Sequence, residues 1–187
     1  MAPKLPENLS QPGRTIMSEL MTPNDANFLG KVFGGRLLAL IDLCAYTTAA
    51  RYTGHVCVTA SFDRVDFHEP IEVGEVITLD GTVTYTGRTS VEVTIEVTAE
   101  NIFARTRRHT NTARVTMVAI QDGRPVPVPS LQCKTREEKI LFLAGKLRRE
   151  LRTSLREHRE ALESKINSFD DSMLDELLQY RDIAPHL

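Results

Sequence analysis

The sequence predicts an α+β fold in which an antiparallel sheet curls around one central helix. Residues 33–52 open with a Gly-Gly pair and are followed by a Thr-Gly pair, and the sequence between is apolar nearly all round, which is typical of a helix buried on most sides. Residues 91–98 alternate aliphatic side chains with Glu or Thr, as strands with one buried and one solvated face do. Because one candidate strand precedes the helix and several follow it, we expect the sheet to wrap the helix.

Weaker alternation and turn residues predict the remaining strands. These strands cover residues 14–21, 56–62, 78–85 and 113–120, and Pro70 and Gly74 mark turns. A run with prolines at positions 125, 127 and 129 then predicts the end of the sheet domain. The chain is therefore divided into an N-terminal extension of residues 1–13, a domain of residues 14–130 and a charged C-terminal extension of residues 131–187.

The C-terminal extension is predicted to be helical. Thr135 followed by Glu138 matches a capping box. Apolar residues then recur on one stripe of a highly charged helix, namely Ile140, Leu143, Leu147, Leu151, Leu155, Leu162 and Ile166. A shorter helix is predicted over residues 172–180. The stripe indicates packing on the core or on a sister subunit; docking of a specific partner and a role as an assembly device are the alternatives.

Composition excludes several classes of protein. A length of 187 residues suits one domain with an appendage, and 23 basic against 25 acidic residues give a net charge of -2, so a nucleic-acid partner is not expected. Three cysteines without a CxxC pair argue against a disulfide framework or a zinc ribbon. Because no apolar stretch approaches 18 residues and the N-terminus lacks a signal-peptide core, we expect a cytoplasmic protein without a membrane span.

Asp42 is the first candidate for chemistry. It lies between Ile41 and Leu43 in the apolar helix, where an unpaired carboxylate would cost several kcal/mol of desolvation. A functional interpretation makes Asp42 a general base or a nucleophile. The structural alternative is a side chain that faces a rim or is tied to a neighbouring hydroxyl group.

A second candidate site lies just before the helix, where short polar side chains and glycines lead into its N-terminus. The free N–H groups and the positive dipole end of such a terminus suit an oxyanion, and Gly34 and Gly35 let a substrate approach the backbone closely. The alternative is ordinary helix capping by Asn24, Asp25 or Asn27.

These residues, taken in order, resemble the acyl-CoA hydrolase branch of the hotdog-fold thioesterases. The resemblance covers most of residues 14–129 and is carried by the segments 21–30, 33–35, 38–42, 58–63, 67–70, 74–75 and 87–92. It implies a sheet-wrapped helix, dimers with active sites at the subunit interface, and further assembly into hexamers. It also implies that Asp42 works with Asn27 of the opposite subunit.

The resemblance further implies hydrolysis of an acyl-CoA thioester, an activity in lipid metabolism, to a free acid and CoA. Asn27 would orient the water or the carbonyl group, and the N–H groups near Gly34 and Gly35 would hold the oxyanion. Asp42 would either deprotonate water or attack directly to form an anhydride. No metal and no cofactor is expected. The alternative from another class is a module that senses acyl-CoA without hydrolysing it.

Two groups of polar residues are candidates for substrate binding. The guanidinium and hydroxyl groups of a predicted strand-to-strand turn suit CoA phosphates or pantetheine, and they belong to Arg88, Thr89 and Ser90. A simple polar hairpin turn is the alternative. A second basic spot, which is a weaker candidate for the nucleotide end of CoA, contains Arg105, Arg107 and Arg108.

Histidines do not point to another reaction. A hotdog dehydratase would need a buried histidine base, whereas His55 follows the end of the helix and His68 lies near a turn. The five histidines of the chain also have no metal-ligand spacing. Dehydratase activity is therefore not expected.

Overall fold

A computed structural model describes residues 13–63, 65 and 69–184, and the predicted order of strand, helix and further strands is confirmed. The strands are β1 (Arg14–Leu20), β2 (Val56–Phe62), β3 (Val76–Thr86), β4 (Ser90–Asn101), β5 (Thr106–Gln121) and β6 (Arg124–Pro125). The helices are α1 (Gly34–Thr53), α2 (Arg136–Asn167) and α3 (Asp171–Leu177), and a 3₁₀ turn spans Pro23–Asp25. The proposed N-terminal extension, apart from Gly13, lies outside the described residues, as does His68.

The sheet is antiparallel throughout, with the strand order β1-β3-β4-β5-β2 and with β6 added to β5. In this order β1 and β2 are the two edge strands of the five-stranded part of the sheet. The predicted alternation of β4 is confirmed on its inner face, where four fully buried aliphatic side chains face the core that α1 shares: Val91, Val93, Ile95 and Val97. The predicted solvated face is wrong in part, because Glu92 and Thr94 are also buried. The predicted fold, a sheet curled around a central helix, is therefore present.

Helix α1 buries one face rather than most of its surface. The buried side chains include Leu37, Leu40, Ile41, Cys44, Ala45, Thr48 and Ala49. Leu43 is 49% exposed and Tyr46 39% exposed on the opposite side, so the expectation of a helix buried on most sides is wrong for a single chain. A sheet with open ends wraps only part of a helix, and the remaining apolar face is left at the surface.

The close approach of α1 to the sheet depends on Gly81 in β3. A Cβ atom at this position would lie 2.8 Å from Thr48 Oγ1 and 2.9 Å from Cys44 Sγ. Glycine therefore allows a contact between helix and strand that alanine would obstruct. Contact with β1 continues along the same helix face, where Cys44 Sγ lies 4.0 Å from the carbonyl oxygen of Thr15.

The proline-rich segment after β5 lies against the sheet domain. The N–H groups of Val126 and Val128 donate to the carbonyl oxygens of Ala119 and Arg88, both at 3.0 Å. The hydroxyl group of Tyr52 donates to the carbonyl oxygen of Pro129 at 3.2 Å. These bonds show how a segment with few N–H donors is held in place: the donors between its prolines are used.

The capping box of the C-terminal helix is confirmed. Glu138 N donates to Thr135 Oγ1 at 3.2 Å, and Thr135 N donates to Glu138 Oε2 at 3.0 Å. Near the start of α2, the Phe142 ring lies 5.1 Å from the ring of Tyr85. The chain forms two compact units, Met1–Leu143 and Ala144–Leu187. None of the helices in the described ranges is long and apolar enough to cross a membrane.

Candidate active site

Asp42 lies at the surface of α1 next to strand β2. Its carboxylate is half-buried, and its Oδ1 atom accepts a hydrogen bond from Thr59 Oγ1 at 2.5 Å. Thr59 stands where the pairing of β2 with β5 shifts register, before Ser61. The contact to a neighbouring hydroxyl group that we considered as a structural alternative is therefore present. It leaves the second carboxylate oxygen available in a cleft, so it is also compatible with catalysis.

The cleft beside Asp42 has a volume of about 560 Å³. Its walls combine a carboxylate, a guanidinium and a hydroxyl group with apolar and thiol side chains, from Arg36, Ala39, Asp42, Leu43, Tyr46, Cys57, Val58, Thr59 and Met117. A cleft of this size with few polar groups is typical of a small-molecule site. Thr59 is the functional candidate that sequence reasoning did not single out, because no sequence pattern says which strand lies beside Asp42.

A cysteine nucleophile is not supported by this cleft. Burial raises the pKa of the Cys57 thiol, and Cys57 Sγ lies 3.4 Å from Thr53 Oγ1. Burial also raises the pKa of Cys44, to about 11. Both thiols are therefore protonated near neutral pH and are poor nucleophiles, which leaves Asp42 as the stronger candidate.

Arg36 joins three elements at the rim of the Asp42 cleft. Its Nε atom donates to Asp25 Oδ1 at 2.8 Å, and its Nη2 atom pairs with Glu19 of β1. Hydrogen bonds from Thr22 are the main cause that lowers the pKa of Asp25, and Arg36 adds to it. Arg36 is thus already paired with two carboxylates, and its main role is to fix the segment before α1.

Asn27 organises the turn that precedes α1. Its Oδ1 atom accepts from the backbone N–H groups of Leu29, at 2.8 Å, and Lys31, at 3.2 Å. Asn27 N donates to the carbonyl oxygen of Lys31 at 2.7 Å. With its oxygen engaged in the turn, the amide is oriented so that Nδ2 is the end suited to a substrate.

Asn27 and Asp42 line different clefts of the same chain. The Asn27 cleft has a volume of about 330 Å³ and is also lined by Lys31, Val32, Gly34, Leu37, Glu69, Pro70 and Ile71. The lining of the Asp42 cleft shares no residue with it. One chain therefore does not bring the two candidate residues into a common site.

The N-terminus of α1 opens at the Asn27 cleft. The N-cap residue is Phe33, which makes no side-chain capping bond, so the capping alternative that named Asn24, Asp25 or Asn27 does not apply to α1. The first N–H groups of a helix have no intrahelical acceptor. Gly34 lines the cleft, so a partial positive charge meets the cavity there. This arrangement suits an oxyanion at Gly34, whereas Gly35 does not line the cleft; oxyanion binding by either residue stays a prediction.

One wall of the Asn27 cleft is fixed by a buried ion pair. Arg108 of β5 donates from Nη1 and Nη2 to the two carboxylate oxygens of Glu75, at 2.5 and 2.8 Å, and from Nη2 to the carbonyl oxygen of Pro70 at 2.8 Å. The bonds from Arg108 are the main cause of the lowered pKa of Glu75. Glu75 Oε2 accepts from Glu72 N, and Glu72 pairs with Lys31 Nζ at 2.5 Å.

This ion pair changes the interpretation of the second basic spot. Arg108 is engaged with Glu75 and also lies 3.0 Å from Glu69 Oε2. Arg107 donates to Thr98 Oγ1, and Arg105 occupies the β4–β5 turn with a positive φ of 54°. Arg108 is therefore not available to a nucleotide, and binding of the nucleotide end of CoA by Arg105 and Arg107 stays a prediction.

Arg88, Thr89 and Ser90 are at the hairpin between β3 and β4. Gly87 N donates to the carbonyl oxygen of Ser90, and Ala119 N donates to that of Thr89. The Arg88 side chain is exposed. None of the three lines either cleft. Their backbone thus holds neighbouring segments, and CoA binding by their side chains stays a prediction. No group of three or more metal-ligating side chains lies together in residues 13–63, 65 and 69–184.

The sheet-wrapped helix is the hotdog fold, and a model of the thioesterase superfamily matches residues 29–102. A crystal structure of a hexameric acyl-CoA thioesterase is 43% identical, with a TM-score of 0.72, over 75% of this chain and 91% of that one. The chain belongs to the acyl-CoA thioester hydrolase family.

Two further relatives are informative. Protein VdlD of Helicobacter pylori is 41% identical over 140 residues, which are 75% of this chain and 80% of VdlD. An acyl-CoA hydrolase from Staphylococcus aureus, solved with butyryl-CoA and CoA, is 29% identical with a TM-score of 0.73, over 83% of this chain and 95% of that one. Other structures of that hydrolase carry alanine in place of an aspartate, an asparagine or a threonine. These are the side-chain types of Asp42, Asn27 and Thr59.

Proposed function

We propose that this protein hydrolyses acyl-CoA thioesters to a free acid and CoA at a site composed of Asp42 and Thr59 from one subunit and Asn27 from another. The observation that carries the proposal is the separation of Asp42 and Asn27 into two clefts of one chain. A composite site joins the carboxylate to the amide and to the helix N-terminus, which together supply a base, an orienting group and oxyanion donors.

Exposed apolar side chains near both clefts support the composite site. Leu43 and Tyr46 flank Asp42, and Val58 of the adjacent β2 is also exposed. Phe28 and Leu29, which follow Asn27, are among the most exposed side chains of the described chain. Apolar patches on both halves of a site are typical of an interface. A twofold dimer that buries them would contain two equivalent sites.

In the proposed reaction, a water oxygen bonds to the thioester carbonyl carbon while Asp42 accepts a proton from the water. The oxyanion is held by the first N–H groups of α1 at Gly34 and Gly35. The C–S bond then breaks, and the CoA sulfur leaves as a thiolate or takes the proton from Asp42. In the alternative, Asp42 attacks the carbonyl carbon, CoA leaves, and water hydrolyses the anhydride. A single turnover in ¹⁸O-water detects an anhydride that water hydrolyses at the Asp42 carbonyl carbon, because the first acid released then carries an unlabelled Asp42 oxygen and the label enters Asp42.

Mixing two inactive variants tests the composite site directly. Asp42→Asn and Asn27→Ala are each expected to be inactive, but a mixed dimer has one site in which both side chains are native. Random reassortment of equal amounts is expected to restore about one quarter of wild-type turnover, because half the dimers are mixed and each has one intact site. No recovery after verified subunit exchange would contradict a shared site.

A panel of acyl-CoA substrates with a thiol-release assay tests the activity itself. Turnover on at least one chain length is expected. Measurable CoA affinity without turnover on any substrate would favour the non-catalytic sensor. Chain-length preference depends on the depth of the acyl tunnel. Three residues of α1 near Asp42 are candidates for its lining: Ile41 and Ala45 are fully buried in the core, while Leu38 is partly buried.

The exposed β3–β4 turn is proposed as a secondary contact for CoA. The support is the chemistry of Arg88, Thr89 and Ser90, since a guanidinium group binds phosphate well. Arg88→Ala is expected to raise KM without changing kcat, because the nucleotide end of CoA lies far from the reacting carbonyl group. An unchanged KM would leave these residues with a role in the turn alone.

Hexameric assembly and a cytoplasmic setting complete the proposal. A hexamer is supported by the 43% identical hexameric thioesterase, and the native mass of the purified protein measures it. The three cysteines are unpaired, which suits a reducing compartment. The proposed reaction needs neither a metal nor a cofactor. Localisation of the tagged protein in its own cells tests the compartment, and activity in the presence of a chelator tests the metal.

A further inference from the structure

Helix α2 carries a stripe of exposed apolar side chains. Of the seven residues of the stripe, five are between 51% and 65% exposed, namely Ile140, Leu143, Leu147, Leu151 and Leu155, whereas Leu162 and Ile166 are half-buried. Phe142, which contacts Tyr85, points to roughly the opposite side of the helix at about 100° per residue. The stripe is therefore separate from the face through which α2 contacts the sheet domain. We propose that it packs along α2 of a second copy of this chain, parallel and in register.

The spacing of the apolar residues supports helix pairing. Ile140, Leu151 and Leu162 are separated by 11 residues, and Ala144, Leu155 and Ile166 repeat with the same period. A period of 11 residues gives about 3.67 residues per turn, which keeps one face of a helix against a neighbour over a long distance. The period continues along most of the 32 residues of α2. A single local contact would not require an apolar stripe of this length along α2.

Charged residues on the two flanks of the stripe indicate the direction of pairing. At about 100° per residue, one flank carries Glu137, Arg148, Arg152 and Arg159, and the other carries Lys139, Lys146, Glu150 and Glu157. In a parallel pair in register, the first flank of one helix faces the second flank of its neighbour. Four of the resulting contacts join opposite charges, namely Glu137 with Lys139, Arg148 and Arg152 with Glu150, and Arg159 with Glu157, whereas Lys146 lies near Arg148.

An antiparallel pair centred on Leu151 has the reverse property, because each flank then faces its own equivalent. Arg148 would meet Arg152, and Glu150 would meet Glu150 of the second copy. Like charges at such flanking positions are destabilising. A second copy also suits the overall charge balance, since residues 131–187 contain 11 basic and 11 acidic residues. Within this extension α2 itself carries nine basic and six acidic residues, so a strongly basic partner would not match it.

Disulfide cross-linking of the full-length protein tests the proposal. In a Cys133→Ser background, which removes the more exposed native cysteine, Ile140→Cys and Leu151→Cys are each introduced alone. Thr153→Cys, exposed on the opposite side of α2, is the matched control. After mild oxidation, both stripe variants are expected to give cross-linked dimers at about ten-fold the yield of the control, because each cysteine meets its equivalent at high effective concentration.

Two results would overturn the proposal. Cross-linking through Leu151→Cys but not Ile140→Cys would indicate an antiparallel pair, and yields equal to the control would indicate that another surface covers the stripe. A second variant guards against accidental collisions: Leu147→Glu is expected to abolish cross-linking through Ile140→Cys, whereas Thr153→Glu is expected to leave it unchanged. Far-ultraviolet circular dichroism of each variant confirms that α2 is still helical, and cross-linking that persists in Leu147→Glu would count against the stripe.

Discussion

At the scale of single residues, the central feature is a carboxylate that is only half-buried in the isolated chain. Asp42 is hydrogen-bonded to one hydroxyl group, from Thr59, and faces a cleft rather than the interior of the core. Its remaining oxygen is therefore accessible to a water molecule or to a substrate. The position resolves the problem raised by the sequence, since the charge does not have to be buried among Ile41 and its neighbours.

Replacement of Asp42 is expected to remove most of the activity while the fold persists. Asp42→Asn retains the shape of the side chain but removes its basicity, so kcat is expected to fall by about 10²-fold or more. Thiol release under saturating acyl-CoA measures the loss, and urea unfolding serves as the control for stability. Wild-type turnover in Asp42→Asn would refute the catalytic assignment.

Thr59 is expected to act by orienting Asp42. Thr59→Ala removes a hydrogen bond to a charged group, and a loss of about ten-fold in kcat is expected from an interaction of this strength. Thr47→Ala is a matched control, because the Thr47 hydroxyl donates to the Leu43 carbonyl oxygen on the same helix, at 2.8 Å. Equal effects of both substitutions on kcat would show that helix stability, rather than the contact to Asp42, is responsible.

At the scale of secondary-structure elements, periodicity predicted most of the fold. The predicted central helix of residues 33–52 lies within one residue of α1 at each end. β5 begins at Thr106, well before the predicted start at residue 113, because Arg107, Arg108 and His109 read as a charge run. The short helix α3 ends at Leu177, before the predicted end at residue 180. Such ends depend on tertiary partners, for example Glu75 for Arg108, that local patterns do not contain.

The same limit applies to the site. Asp42 stood out because a charge in an apolar helix is anomalous, and Gly34 because glycines before a helix are conspicuous. Thr59 had no such signal, since a threonine in a strand is ordinary and its importance comes from the packing of β2 beside α1. Likewise, the separation of Asn27 from Asp42 could only be seen once both clefts were located.

The contact between α1 and β3 is expected to be sensitive to volume. Gly81→Ala would place a methyl group within 3 Å of Thr48 and Cys44, and overpacking of this kind costs about 1–3 kcal/mol. The free energy of unfolding in urea measures the change. Gly13→Ala is the control, because a Cβ there would make ordinary contacts of 3.6 Å or more. A stability equal to wild type in Gly81→Ala would show that the helix can move away freely.

The Arg108–Glu75 ion pair predicts an acid-dependent loss of stability. The folded-state pKa of Glu75 is lowered, so its contribution is present above the unfolded-state pKa, about 4.3, and is lost as pH falls through the lower folded-state value. Glu75→Gln is expected to cost about 1–2 kcal/mol near neutral pH, because Arg108 loses its buried partner but is itself 31% exposed and keeps its contact with Glu69.

The difference between the wild type and Glu75→Gln is therefore expected to shrink as pH is lowered from about 6 to about 3. Urea unfolding over that range measures it. Glu160→Gln is the control, since Glu160 forms an exposed pair with Arg156 and is expected to show a small, pH-insensitive effect. A constant difference for Glu75→Gln would show that the lost contact is not electrostatic.

At the scale of the whole molecule, catalysis and the C-terminal helix belong to different parts of the chain. Every residue that lines the two clefts lies between Asn27 and Met117. The second compact unit, Ala144–Leu187, carries most of the apolar stripe and a dense, balanced set of charges. The two parts thus correspond to two tasks, with substrate chemistry in the first and contact between copies proposed for the second.

Removal of the second unit is expected to spare the chemistry. A chain that ends at Leu143 retains both clefts and the contact between Phe142 and Tyr85. Its kcat is expected to stay within about two-fold of wild type, because compact units with their own core can function separately. The thiol-release assay measures the rate. A large loss in kcat, with the truncated protein still folded, would show that the helical unit contributes to the active site.

The placement of Asn27 and Asp42 in separate clefts has a kinetic consequence. Under the proposed composite site, a lone subunit contains two half-sites and hydrolyses nothing, so the rate per subunit must rise with enzyme concentration until association is complete. Dilution below the dissociation constant of the dimer would abolish the activity without any inhibitor. Newly synthesised chains would likewise hydrolyse no acyl-CoA until they associate with a second subunit.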